Sequence, residues 1–113
     1  MNTKILGNKG EALAKEFLKK QKCKILETNY SNKLGEIDII AEKDDVLVFV
    51  EVKARTTLKF GLPRESVTAY KQHKIKMVAS YYLQKTKQFN KVCRFDVIEI
   101  LGDKINHIQN AFM

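Results

Sequence analysis

The run VLVFVEVKA (46 to 54) constrains this chain most. β-Branched and aromatic residues fill it almost without a polar break, the pattern of a strand covered on both faces. Yet it carries Glu51 and Lys53, two positions apart and therefore on one face. A charge on a covered strand needs a partner or a metal, because an isolated buried ion costs many kcal/mol. The plainer alternative is an edge strand with a wet face and a weak ion pair. The flanking apolar residues argue against it.

Just upstream, GEIDIIAE (35 to 42) reads as a strand, with Ile37, Ile39 and Ala41 alternating against Glu36 and Asp38. The polar turn Glu42-Lys43-Asp44-Asp45 should join the two strands as an antiparallel hairpin. If all four residues form the turn, Ala41 faces Val46 and Asp38 faces Phe49, which shares its face with Glu51 and Lys53. Asp38 and Glu51 would then be diagonal neighbours, roughly 7–8 Å apart at the backbone. A three-residue turn without a bulge would instead send Asp38 to the opposite face. Two carboxylates beside a lysine suit phosphodiester hydrolysis. They offer hard oxygen ligands for Mg²⁺, with Mn²⁺ able to substitute, and the lysine can stabilise developing charge or position a water. Taken alone, Asp38 reads equally well as a hydrogen-bonded strand residue.

The surroundings suggest the frame. Residues 8 to 22 read as a helix with Leu13, Ala14, Phe17 and Leu18 as its apolar stripe. Asn8 fits its N-cap, with Glu11 completing a capping box; Glu11 also suits a pair with Lys15. A strand is expected around 24 to 30, a turn at 31 to 33 and a loop at 54 to 65. A long helix over 66 to 86 follows, then strands at 92 to 100 and 104 to 112. The order α-β-β-β-α-β-β predicts an α/β fold, a mixed β-sheet flanked by helices, within a single domain spanning 1–113.

Lys and Arg total 21 against 13 Asp and Glu, a net charge of +8. That balance favours a polyanionic partner, nucleic acid before an acidic membrane surface. Arg55, Lys59 and Arg64 in the loop, and Lys71 and Lys74 on the second helix, are candidate phosphate contacts; a solvated basic surface explains them equally well. His73 and His107 are too isolated for a metal pair or a nucleophilic triad. No segment is apolar enough for a signal peptide or a membrane span, and Cys23 and Cys93 have neither disulfide-scaffold nor zinc spacing. A cytoplasmic protein with reduced thiols, independent of membranes, is the expectation.

Asp38, twelve intervening residues and then Glu51-Val52-Lys53 resemble the D…ExK motif of the PD-(D/E)XK nuclease superfamily. GNKGEALAKEFL at 7 to 18, GEIDIIA at 35 to 41, VFVEVKAR at 48 to 55, FG at 60 and RFDVI at 94 to 98 narrow the likeness. In this order they resemble the YraN family, small bacterial proteins viewed as endonucleases related to archaeal Holliday-junction resolvases. Ile37 stands where the superfamily label has proline. The resemblance implies a restriction-endonuclease-like fold and Mg²⁺-dependent cleavage of DNA, at branched or otherwise structured sites. It implies metal binding by Asp38 and Glu51 with the Val52 carbonyl, Lys53 as the catalytic lysine, and Glu11 as the N-terminal acidic residue of the resolvase-like branch. A homodimer follows by the same analogy. The alternative is a nucleic-acid-binding module that keeps the fold without useful activity.

Overall fold

The structure, a computed structural model, describes residues 3–55 and 67–112, with side chains from Lys9 onward. Helix α1 (Thr3–Lys20) leads into β1 (Lys24–Asn32), β2 (Gly35–Lys43) and β3 (Val46–Arg55). Helix α2 (Ala69–Lys85), β4 (Val92–Leu101) and β5 (Lys104–Ile108) complete the order expected. The five strands form one mixed sheet in the order β1-β2-β3-β4-β5. All neighbours are antiparallel except β3 and β4, which run parallel because α2 carries the chain back across the sheet.

A helix covers each face. Ala14 and Leu18 of α1 pack with Ile39, Ala41, Val48, Val50, Ile98 and Ile100. On the other face Ile75, Val78, Ala79 and Tyr82 of α2 pack with Ile40, Leu47, Phe49 and Val97. The VLVFV run thus supplies both cores alternately, which is why it has no polar break. Phe49 sits between Tyr82, edge-on at 6.2 Å between ring centroids, and Phe95, stacked at 5.4 Å. Truncating so enclosed a ring costs on the order of 3–5 kcal/mol. Among the described residues, no helix is long and apolar enough to cross a membrane.

Several boundaries differ from the sequence expectation. Helix α1 begins at Thr3, so Asn8 lies inside it and cannot be its N-cap. Strand β1 continues to Asn32, whose Oδ1 accepts the Leu34 N–H at 2.7 Å and tightens the turn to Lys33-Leu34. Helix α2 starts after Thr68, whose hydroxyl caps Lys71 N–H. The last strand stops at Ile108 rather than running through 112. Asn110 turns the chain with φ 51°, and its N–H donates to the buried Asp96 carboxylate at 2.9 Å. That carboxylate also takes Arg94 Nε at 2.9 Å and His107 Nε2 at 2.7 Å, so His107 is a satisfied histidine.

Candidate active site

The β2–β3 hairpin determines how the charges meet. Its turn is Asp44-Asp45 alone, with φ 50° and 67°, the left-handed pair of a two-residue type I′ turn. Lys43 therefore pairs with Val46 and Ile39 with Val50. The expected pairing of Ala41 with Val46 is corrected by two residues, so Asp38 falls opposite Glu51 rather than Phe49. A two-residue shift preserves side-chain parity.

Strict alternation nevertheless fails at Asp38. Ile39 and Ala41 join the α1-side core, whereas Ile37, expected with them, belongs to the α2-side core. The irregularity lies across from Asn29, which has φ 50° between the pairs Thr28–Ile39 and Tyr30–Ile37. There the Asp38 carboxylate accepts the Val52 N–H at 2.8 Å, which fixes its direction.

Electrostatically the pair is poised against itself. Burial and the facing Glu51 charge push the Asp38 carboxyl up to about 7, against the pull of the Val52 N–H. Burial also raises Glu51, opposed by Lys53, whose Nζ lies 3.6 Å from Glu51 Oε1. From α1, Glu11 reaches the same region; burial and Asp38 raise its pKa. With its amide oriented to satisfy both neighbours, Asn29 donates to Glu11 at 2.8 Å and Glu36 at 3.2 Å. From α2, Lys71 comes beside Lys53, and that ammonium contact lowers the Lys71 pKa while Glu51 and Asp38 oppose the shift. Four elements thus deliver Glu11, Asp38, Glu51, Lys53 and Lys71 to one place.

The donor set fits a hard dication that keeps much of its water. Among the described residues, no three His, Cys, Asp or Glu side chains close on a metal by themselves. Mg²⁺ needs only one or two carboxylates, its other ligands being water, backbone carbonyl or substrate oxygens. Asp38 and Glu51 match that requirement, and a positive ion between them would offset the burial that raises both pKa values and the Glu51 charge that raises Asp38 further.

The basic candidates divide. Lys71 joins the site, and Lys74 lies over the Tyr70 ring beside it. Arg55 pairs with Glu99, Nε to Oε2 at 3.4 Å, with both side chains largely buried. Lys59 and Arg64 lie outside the described residues. Sequence reasoning missed Glu99, only 3 % exposed and aligned with Lys53 across the parallel pair. The signal was available in VIEI, a carboxylate in an apolar strand like Glu51. Asn29 gave no comparable signal.

Comparison with known proteins extends over nearly the whole chain. A protein of Clostridioides difficile is 53% identical, aligned over 99% of this chain and 100% of its own length. One of Caldicellulosiruptor saccharolyticus is 49% identical over 99% and 100% of the two chains. One of Fusobacterium nucleatum is 48% identical over 97% and 92%. All three are described as UPF0102 proteins. The family described as Uncharacterised protein family UPF0102 matches residues 10–100, taking in α1 from Gly10 and every candidate residue from Glu11 to Lys74. The chain belongs to the UPF0102 family.

Proposed function

We propose that this protein is a metal-dependent endonuclease hydrolysing DNA phosphodiesters, acting at branched or otherwise structured DNA. The observation that carries the reading is the opposition of Asp38 and Glu51 on neighbouring strands, both with raised pKa and with Lys53 against Glu51. Such a pair is unfavourable in an empty fold and useful only where a cation or a proton is to be held. Asp38 and Glu51 would hold Mg²⁺, with the Val52 carbonyl a further ligand. The ion, when bound, supplies phosphate polarisation and a nucleophilic water at neutral pH.

The chain's own groups do the remainder. The Val52 N–H keeps the Asp38 carboxylate aimed into the site. Lys53 is placed to stabilise charge developing on the phosphate or to hold the attacking water. Lys71 adds a second positive charge for the non-bridging oxygens, and Glu11 borders the site from α1.

Linear duplex, single strand, flap and four-way junction, each incubated with Mg²⁺, Mn²⁺ or EDTA, test this directly. Wild type should cleave at least one substrate, and EDTA, Asp38→Asn and Lys53→Ala should each reduce the rate at least about hundredfold. No cleavage, with equal salt-sensitive DNA binding by all three proteins, would overturn the enzyme reading in favour of a binding module.

A further inference from the structure

Next to the carboxylate pair, between β2 and the start of α2, lies an open cavity of about 200 Å³. Gly35, Glu51, Tyr70, Lys71, Lys74 and Ile75 line it. Its lining is mixed in a particular way. Glu51 belongs to the candidate site, Ile75 is buried core, and Tyr70 is 68 % exposed. Lys74 Nζ stands 5.3 Å from the Tyr70 ring centroid. Among the described residues, no other ring stacks on Tyr70.

An exposed aromatic ring backed by one ammonium, with a second ammonium on the catalytic side, is the chemistry that receives a nucleotide. The base has a π-face for Tyr70, and its phosphates have Lys71 and Lys74. Glu36, also at the rim, repels phosphate and leaves the lysine side as the favourable path. Bases inside a continuous duplex are already stacked and cannot reach a side chain on a helix surface. A base in a single strand, a flap or a junction arm can swing out to it.

We propose that Tyr70 and Lys74 form a stacking subsite for one unpaired nucleotide beside the scissile phosphate, so that the site selects single-stranded or splayed DNA over continuous duplex. The inference rests on the phosphodiester reading and supplies its substrate preference. A tyrosine merely tolerated on a helix surface would give no such preference, and its removal would change nothing.

The test measures binding in EDTA, where a metal-dependent enzyme cannot cleave. Wild type, Tyr70→Ala and Tyr70→Phe are titrated against a fluorescein-labelled single strand and a blunt duplex, and against a single strand carrying 2-aminopurine. Tyr70→Ala should bind the single strand about tenfold more weakly, a loss in the range of one base–aromatic stack, while changing duplex affinity less than about twofold. Tyr70→Phe should bind as wild type, and wild type but not Tyr70→Ala should quench 2-aminopurine. Unchanged single-strand binding by Tyr70→Ala, or equal losses on both DNAs, overturns the subsite and leaves the nuclease reading standing. Wild type that binds neither DNA in EDTA also overturns the subsite, and the nuclease reading is decided by the cleavage assay with metal.

Discussion

Ionising Asp38 in the folded chain sets a charge where water is largely excluded and Glu51 stands opposite, so its pKa is pushed up to about 7 from 3.8. Between those values the folded state keeps a proton that the unfolded state has released. Stability therefore falls as pH rises through that window and stays at its lower value above it. Asp38→Asn removes the charge and retains an acceptor for the Val52 N–H. Without metal, the variant should exceed wild type at pH 8 by about 2 kcal/mol in urea melts, the gap closing toward pH 4. Added Mg²⁺ should raise the wild-type midpoint at pH 8 and leave the variant's unchanged. A variant less stable than wild type at pH 8 would mean that Asp38 is tied into the fold by more than its hydrogen bond. Asp38, Glu51 and Lys53 were legible in the sequence because a charge inside an apolar strand demands compensation. Glu99 obeys the same rule, but its alignment with Lys53 depends on the parallel β3–β4 pairing, which local patterning does not specify. Asn29 was illegible because its importance lies in a backbone angle and an amide orientation.

Helix α1 meets the sheet at Gly10, where an added Cβ would stand 2.8 Å from the Cβ of Ala54. Ala54 has no longer side chain to swing aside, so helix and strand must separate. Gly10→Ala should cost about 1–3 kcal/mol in thermal or urea melts. By moving Glu11 away from Asp38 it should also lower any nuclease rate. Ala54→Gly in the same chain should restore both, and a double variant no better than Gly10→Ala would refute the contact. The amphipathic stripe of α1 was readable, whereas Gly10 as its contact point was not, since glycine within a helix signals only lost propensity. The hairpin gives a similar lesson. Its strands were evident, but Asp44-Asp45 lacks the Asn-Gly signature of a type I′ turn, and the four polar residues suggested a wider loop. An error of two residues spared the facing of Asp38, where an error of one would have reversed it.

Across the whole molecule, the excess of eight positive charges should make DNA association strongly salt-dependent. Each phosphate neutralised on duplex contributes about −0.9 to the slope of log K against log salt concentration. On single strands, where each phosphate counts about 0.7, replacing Lys71 and Lys74 together by Ala should reduce the slope by about 1.4 whatever the sequence. An unchanged slope would place the phosphates elsewhere on the surface. The order of strands has a temporal consequence as well. The β1-β2-β3 meander closes through tight turns, whereas Val46 meets Val92 only after α2 has crossed the sheet. Short loops close at less entropic cost than long ones, so the hairpin is poised to form first. Asp38 and Glu51 belong to that hairpin, and their repulsion acts before β4 arrives. Neutralising Asp38 at pH 8 should therefore appear in stopped-flow traces as faster folding, whereas destabilising changes at Glu99 in β4 should appear mainly as faster unfolding.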